Sequence, residues 1–209
     1  MARAVKEKRG YNVRHRQEQA QMTRSRIIEA ARRLLVAGTY SSVTMDEIAT
    51  EAGVAYQTVY ATFGTKMRLA QAMVEGGFSH VEEAVKPLQA APRSVDPQTW
   101  LRTVAKVWRV IYEPCADLLR FMLESGDPEL QKHYRQVQDS RLARLKRVVS
   151  VLEGSGRLRS GLTRDGAIDV MWTMTSPDCY TKFVFQRGWS PDHFEEWLGG
   201  ALIDLLLER

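Results

Sequence analysis

Cysteine is scarce in this chain of 209 residues, which contains only Cys115 and Cys179. Two thiols so far apart in sequence exclude a disulfide framework or a zinc knuckle, and we interpret them as packed thiols. Long apolar runs are also missing, because no stretch approaches the roughly 20 residues that span a bilayer. The basic N-terminus is not followed by an apolar signal core. We therefore expect a cytoplasmic protein with no membrane partner.

Motifs for catalysis are equally absent. The chain has no nucleophile elbow, no phosphate-binding glycine loop, no metal-like spacing of His and Cys, and no persuasive carboxylate pair. These absences argue against an enzyme, which is the competing class of function, and they imply neither a metal nor a cofactor. Strand-like alternation is missing too, so the predicted fold is all-α, with about nine helices. The composition, 44% hydrophobic and 26% charged, is ordinary for a globular protein.

Positive charge is concentrated at the N-terminus. Between Met1 and Ala37, ten Lys or Arg residues face three Glu residues, which gives +7, whereas the whole chain carries +5. Residues 1–20 have no apolar periodicity, so we predict a basic arm that is disordered in the free protein. The arm is either a solvated charge run or a segment that neutralises phosphates and enters the minor groove when DNA binds. Its candidate contacts are Arg14 and Arg16, together with Arg24 just beyond it.

Residues 44–63 carry the pattern of two short helices joined by a tight turn. Thr44 and Glu47 have the spacing of a capping box, which predicts a helix from Met45. Gly53 suits the left-handed conformation that ends a helix. A second helix is predicted from about Tyr56 to Phe63, and a preceding one from about Met22 to Ala37. This helix-turn-helix form can place its second helix in a major groove about 12 Å wide.

The same region resembles the tetracycline-repressor (TetR) family of bacterial transcription regulators, over roughly residues 23 to 75. The resemblance rests on these residues: Ala37-Gly38, Tyr40, Val43-Thr44, Ile48-Ala49, Ala52-Gly53-Val54, Val59-Tyr60, Phe63, Lys66 and Leu69. Two departures are visible. Ala55 stands where the family commonly has a serine cap, and Ala61-Thr62 replace the aromatic or histidine residues often found before Phe63. These departures bear on the operator sequence.

The motif predicts which residues contact DNA. The resemblance implies a phosphate contact for Tyr60, and we predict phosphate contacts for Thr44 and Lys66 as well. Base reading is predicted for the rest of the second helix's exposed face, namely Tyr56, Gln57, Thr58 and Ala61. The DNA-binding domain is predicted at residues 21–68, and a larger helical domain for effector binding and dimerisation at residues 69–209.

Only helical patterns follow the motif. The helix that starts near Lys66 is predicted to continue unbroken to Pro87, and residues 89–97 form the first loop. Further helices are predicted at these positions: 97–112, 114–122, 129–153, 163–186 and 190 to the C-terminus. Pro177 lies inside the penultimate helix, where it removes a backbone donor, so we expect a kink near Thr175 to Asp178.

The last two predicted helices are apolar on more than one face, so each must be covered both by its own body and by something else. A second copy of the chain is the simplest cover. The resemblance implies a four-helix dimer interface at this position, and two heads about one DNA turn apart would read a palindromic operator. The predicted interface residues are Met174, Phe194, Trp197, Ala201, Ile203 and Leu205.

Aromatic residues and methionines are frequent in the predicted larger domain. Such residues suit an adaptable apolar pocket, but at helical spacing they form a core as readily as a cavity. The candidate pocket residues are Trp108, Tyr112, Phe121, Met122, Met171, Trp172 and Cys179. The resemblance implies a repressor released from DNA by a small-molecule effector of unknown identity. The alternative is a helical interaction protein or architectural DNA binder that responds to no ligand.

Overall fold

The computed structural model describes residues 2–90 and 95–208, and the side chains of these ranges from residue 15 onward. The chain divides into two compact units, Met1–Gly76, called the head, and Gly77–Arg209, called the body. The predicted boundary lay after residue 68, whereas the structure assigns the following buried residues of the next helix, including Leu69 and Met73, to the head.

Helices make up most of the described residues. They are α1 (Ala2–Ala37), α2 (Met45–Ala52), α3 (Tyr56–Phe63), α4 (Lys66–Phe78), α5 (Val81–Ala84), α6 (Lys86–Gln89), α7 (Pro97–Tyr112), α8 (Ala116–Glu124), α9 (Pro128–Gly154), α10 (Arg164–Met174), α11 (Pro177–Tyr180), a π-helix (Thr181–Gln186) and α12 (Pro191–Leu206). The one isolated β-bridge within the described ranges pairs Leu158 with Leu207. The predicted all-α class is confirmed.

α1 is longer than predicted. It begins at Ala2 rather than near Met22, and residues 2–20, predicted to be a disordered arm, have helical backbone. The physical reason lies in the composition, since this segment lacks proline and is rich in Ala, Arg, Lys, Glu and Gln, which are strong helix formers. Apolar residues become buried only further along α1, where Ile27, Ala30 and Leu35 enter the core of the head.

The head is a small helical core in which α1 packs on α2 and α2 packs on α3. Ile48 and Ala49 of α2 and Val59 of α3 are buried there. The predicted capping box, turn glycine and second helix are all present at the predicted residues.

α4 does not continue to Pro87, so that prediction is wrong. It ends at Phe78, and the short helices α5 and α6 follow a turn at Ser79 and His80. Gly76 and Gly77 weaken the helix just before the turn, because glycine is a poor helix former. A Cβ on Gly77 would lie 2.1 Å from Cδ1 of Leu118, so this glycine permits a close approach of α8.

The body is held together by α7, which packs against α12, and by α9, which packs against α8 and α10. Trp100, Tyr112, Tyr180 and Phe194 are its largest fully buried side chains. The Trp100 indole donates its N–H to the Val148 carbonyl at 3.3 Å, which ties α7 to α9. In the described part of the chain, no helix is long and apolar enough to cross a membrane.

Pro177 does more than kink its helix. α10 ends at Met174, and Ser176 caps the separate short helix α11, whose first residue is Pro177. A proline lacks the N–H that an uninterrupted helix needs and is well suited to the first turn of a new one. The predicted caps Thr163 and Ser190 are both present, at the starts of α10 and α12.

Candidate nucleic-acid interface and ligand cavity

Thr44 and Glu47 fix the start of α2. The Glu47 backbone N–H donates to the Thr44 hydroxyl at 3.2 Å, and the Thr44 backbone N–H donates to Oε2 of Glu47 at 2.7 Å. The Thr44 hydroxyl also donates to that oxygen at 2.9 Å. The backbone N–H and the hydroxyl of Thr44, with a smaller effect of the Lys66 charge, lower the pKa of the Glu47 carboxyl. Thr44 remains exposed, so its hydroxyl is within reach of a ligand.

Gly53 makes the turn between α2 and α3. Its φ of 62° lies in the left-handed region, which a glycine adopts without a Cβ clash. Nη2 of Arg26, on α1, donates to the Ala52 carbonyl at 2.6 Å beside this turn. A Cβ on Gly53 would lie 2.9 Å from that same nitrogen. The turn is therefore held both by its own backbone and by α1.

α3 presents a polar and aromatic face. Val59 and Phe63 are buried, while Thr58 is half-buried. The rest of the predicted reading residues are exposed, and these are Tyr56, Gln57, Tyr60 and Ala61. Ala55 caps α3 without a side-chain hydrogen bond, as expected for an alanine in a position that suits serine. An exposed helix face of this kind fits a major groove.

Tyr56 and Tyr60 form a pair on that face. Their ring centroids lie 4.6 Å apart. The hydrogen bond to the Tyr60 phenol, followed by partial desolvation, raises the pKa of Tyr56 to about 12. Tyr56 is therefore neutral at physiological pH, and the pair presents phenol groups that can donate hydrogen bonds to an acceptor such as a phosphate oxygen.

Lys66 is more enclosed than its predicted phosphate contact requires. Its Nζ donates to the Tyr40 carbonyl at 2.6 Å and to the Val43 carbonyl at 2.8 Å, and lies 4.6 Å from the centroid of the Tyr40 ring. Lys66 thus holds the loop between α1 and α2 against the start of α4. A lysine has three N–H donors, so one remains for a phosphate, and the contact stays a prediction.

The predicted arm contacts differ in position. The Arg24 guanidinium lies 4.5 Å from the centroid of the Phe63 ring, at the end of α3. Arg16 is exposed on α1. Arg14 lies outside the residues whose side chains are described. Arg24 therefore lies next to α3 in space, although it stands 32 positions before Tyr56 in the sequence.

Two of the cavities in the body share one wall. The larger has a volume of about 430 Å³, and the smaller one about 30 Å³. Among the predicted pocket residues, Trp172 lines the larger cavity, and Trp108 and Tyr112 line the smaller one. The other residues lining the larger cavity include Leu119, Leu123, Tyr134, Gln138 and Pro177.

The remaining predicted pocket residues line neither cavity. Phe121, Met122 and Met171 are buried side chains of the core, because the stripes they belong to pack against neighbouring helices. Cys179 is half-buried, and burial raises the pKa of its thiol to about 11. Ligand contacts by those four residues stay a prediction.

Arg141 is a cavity residue that the sequence analysis missed. It lies on α9, is only 3% exposed, and lines both cavities. The signal was present, because Leu130, Tyr134, Val137, Arg141, Leu145, Val148 and Leu152 recur at three and four residues. An arginine inside such an apolar stripe marks a buried cation.

The predicted dimer residues also divide into two groups. Met174, Trp197, Ala201 and Ile203 are half-buried and Leu205 is exposed, so all five are accessible in one protomer. Phe194 is fully buried. Its ring packs 5.0 Å from the Tyr180 ring, inside the body, and therefore lies beneath any surface that a second copy would contact.

An aromatic cluster accompanies these accessible residues. The Phe183 ring lies 4.5 Å from the rings of both Trp189 and Trp197, and Phe185 of the π-helix is 56% exposed. Large apolar side chains exposed together are a sign of an interaction surface. No group of three or more His, Cys, Asp or Glu residues that could hold a metal ion occurs within the ranges described here.

Comparison with known proteins supports the fold. Residues 27–73 match the family model described as bacterial regulatory proteins, tetR family. No curated protein sequence matches the chain. NalD from Pseudomonas aeruginosa, the secondary repressor of the MexAB-OprM multidrug efflux pump, is similar in structure with a TM-score of 0.65 at 19% identity, over 91% of this chain and 98% of that one.

Two further similar structures contain ligands. A Saccharomonospora viridis protein in complex with choline has a TM-score of 0.69 at 17% identity, over 90% of this chain and 100% of that one. FadR from Bacillus subtilis in complex with stearoyl-CoA has a TM-score of 0.63 at 18% identity, over 87% and 98%. All three similarities concern the arrangement of an N-terminal helix-turn-helix domain and a larger helical domain.

Proposed function

We propose that this chain is a regulator of the tetR family, whose model matches residues 27–73, that it binds a palindromic operator as a homodimer, and that it represses transcription until a small, largely apolar ligand releases it. The observation that carries the proposal is the exposed face of α3. Gln57, Tyr56 and Ala61 are exposed there over a buried Val59, as a helix that reads base edges requires.

The proposed DNA contacts are of two kinds: contacts to phosphates, which position the head, and contacts to base edges, which read the sequence. Tyr60, Thr44 and the remaining N–H of Lys66 bind phosphates, and Arg16 and Arg24 add positive charge beside them. Gln57 is the main reading residue, because a glutamine amide can make two hydrogen bonds to an adenine edge. Tyr56, Thr58 and Ala61 complete the reading surface through hydroxyl and apolar contacts.

The dimer forms through the accessible side chains of α10, the π-helix and α12. Trp197, Ile203 and Leu205 supply apolar area, and Phe183 and Trp189 extend it. Burying a large aromatic side chain contributes about 1.5–3 kcal/mol. A few such contacts, doubled by two-fold symmetry, offset the entropy cost of association.

The ligand occupies the larger body cavity, whose volume of about 430 Å³ falls in the range of small-molecule sites. α4 provides a link to the head, since it begins at Lys66 and its last residue, Phe78, lines the smaller cavity. Similar folds hold choline in one protein and stearoyl-CoA in another. The chemistry of the ligand is therefore determined by the residues of each chain and not by the fold.

Selection from a pool of random DNA duplexes tests the proposal. We expect enrichment of a palindrome whose half-sites lie about 34–36 Å apart, bound by two copies of the chain in sedimentation analysis. In the selected duplex, Gln57→Ala should weaken discrimination at one base pair of each half-site by about 1–3 kcal/mol.

The matched control is Gln136→Ala, which removes an exposed glutamine of α9 in the body and should leave operator affinity unchanged. A pool without enrichment would contradict a sequence-specific regulator. Enrichment of a non-palindromic site bound by one copy would contradict the dimer alone.

A further inference from the structure

Arg141 is buried with its hydrogen-bonding capacity incompletely used. Its Nη1 donates to Oε1 of Gln138 at 3.1 Å, and its Nη2 donates to the Thr175 hydroxyl at 3.1 Å and to the Trp172 carbonyl. Its Nε is buried and has no acceptor among the protein groups. A buried N–H without an acceptor is costly, and more so when it belongs to a charged group.

No carboxylate compensates the charge of Arg141. Within the described residues, no Asp or Glu oxygen lies within 4 Å of its guanidinium. The acids that line the larger cavity already have cationic partners, since Glu124 pairs with Arg120 at 3.9 Å and Asp178 pairs with Lys182 at 2.8 Å. Burial lowers the pKa of Arg141, but an arginine stays protonated in proteins. The cavity wall therefore contains an unpaired positive charge.

A second orphaned donor lies close to the first. Nε1 of Trp108 is also buried without an acceptor. The Arg141 guanidinium lies 5.6 Å from the centroid of the Trp108 ring, and both residues line the smaller cavity. The guanidinium also lies 4.2 Å from the centroid of the Trp172 ring, which lines the larger cavity. Two buried N–H donors without an acceptor thus lie next to the same cavities, beside the aromatic rings of Trp108 and Trp172.

We propose that the ligand of this cavity is an apolar or aromatic molecule that carries one carboxylate, with the carboxylate bound by Arg141 and Trp108. The inference rests on the proposed function for its regulatory meaning, because it names the chemical class of the effector. The carboxylate accepts from Nε of Arg141 and Nε1 of Trp108, and the apolar part lies in the larger cavity against Trp172, Leu119 and Pro177. Nη1 and Nη2 keep their present acceptors, so the guanidinium is already oriented before the ligand binds.

Calorimetric titration of the full chain with three probes of one shape tests the charge. The probes are 2-naphthoate, 2-naphthamide and 2-naphthylmethylammonium, which are anionic, neutral and cationic. We expect 2-naphthoate to bind at least about 30-fold more tightly than the amide, because pairing a buried charge is worth 2 kcal/mol or more. The cationic probe should not bind measurably.

Variants locate the effect. Arg141→Met should abolish the preference for 2-naphthoate over the amide, and Trp108→Phe, which removes the N–H donor together with part of the indole ring, should reduce it several-fold. Arg147→Met is the matched control, because Arg147 is an exposed arginine of the same helix. The preference of Arg147→Met for 2-naphthoate over the amide should equal that of the unaltered chain. The comparison of the three probes on the unaltered chain needs no variant, so a misfolded Arg141→Met would not remove the test.

Each remaining outcome contradicts the inference or supports it. Equal or tighter binding of the amide or the ammonium, or no binding of 2-naphthoate up to millimolar concentration, overturns it. Operator affinity measured with each probe separates it from the proposed function. If 2-naphthoate binds through Arg141 without changing operator affinity, the site stands and ligand-controlled repression fails. If the ammonium or the amide binds at least as tightly as 2-naphthoate and releases DNA, regulation stands and the anionic class fails.

Discussion

The head and the body each enclose a cation beneath aromatic rings, but they satisfy it differently. In the head, Lys66 lies 4.6 Å from the centroid of the Tyr40 ring and donates to two carbonyls at 2.6 and 2.8 Å. In the body, Arg141 lies close to the rings of Trp108 and Trp172 and is left with an Nε that has no protein acceptor. The Lys66 charge also lowers the pKa of a carboxyl, that of Glu47, whereas the Arg141 charge acts in the same direction on the pKa of a phenol, that of Tyr112.

This difference separates a cation that stabilises the fold from one that is available to a ligand. A charged donor with two short hydrogen bonds to carbonyls holds the loop and helix it joins in one arrangement. A buried charge without a counterion reduces stability until a partner arrives. Lys66 therefore fixes the geometry of the loop between α1 and α2, and the body contains a buried cation without a carboxylate partner among the described residues.

Replacing each cation by methionine gives the largest expected contrast. Lys66→Met should lower the free energy of unfolding of the head by about 2–3 kcal/mol, because two carbonyls lose a charged donor. Arg141→Met should change the free energy of unfolding of the body by less than about 1 kcal/mol, because removal of the desolvated charge offsets the lost hydrogen bonds. All five tryptophans lie in the body, so tryptophan fluorescence in urea follows the body and hydrogen exchange follows the head.

The control for both variants is Lys146→Met, which removes an exposed lysine of α9 and should leave both units unchanged. If Arg141→Met destabilises the body as much as Lys66→Met destabilises the head, the two cations have the same structural role. The distinction between them would then be lost.

The two units also differ in how far their structure could be predicted from the sequence. The capping box of Thr44 and Glu47 and the turn at Gly53 depend on contacts within three or four residues, so their spacing was sufficient to predict them. Thr163 and Ser190 were predictable as caps for the same reason. The Lys66 contacts were not, because its acceptors lie 26 and 23 residues away.

The body depends more on distant contacts. Arg141 meets Trp172 and Thr175 across 31 and 34 residues, so its burial can be suspected from the apolar stripe but not its partners. The division of the aromatic residues into cavity wall and core is likewise decided by helix packing, which no local spacing specifies. Phe194 and Trp197 show this within one turn, since the first is buried in the protomer and the second is accessible.

A smaller contrast comes from two glycines of positive φ, one in each unit. Gly53 of the head has φ 62° and Gly156 of the body has φ 67°. A Cβ on Gly53 would lie 2.9 Å from Nη2 of Arg26, whereas one on Gly156 would meet no atom within 4 Å. Gly156→Ala should cost about 1 kcal/mol from the left-handed backbone alone.

Gly53→Ala should cost about 1 kcal/mol more than Gly156→Ala, because Arg26 must release the Ala52 carbonyl to avoid the new methyl group. Urea unfolding of the body and hydrogen exchange of the head measure the two losses. Equal losses would mean that Arg26 adjusts freely, and that α1 does not hold the turn before α3.

The smallest contrast is a change of pKa that leaves the fold intact. Tyr56 in the head and Tyr180 in the body both have a pKa of about 12, but for different reasons. The main cause for Tyr56 is its hydrogen bond to Tyr60, whereas the main cause for Tyr180 is burial. A tyrosine whose pKa is raised on folding contributes stability that is fully present below pH 10 and is lost as the pH rises through its folded pKa. Tyr60→Phe should move the pKa of Tyr56 back towards 10 and leave that of Tyr180 unchanged. Carbon-13 NMR of labelled tyrosine rings between pH 9 and 13 measures both values, and an unchanged Tyr56 would show that burial, as in the body, sets its pKa.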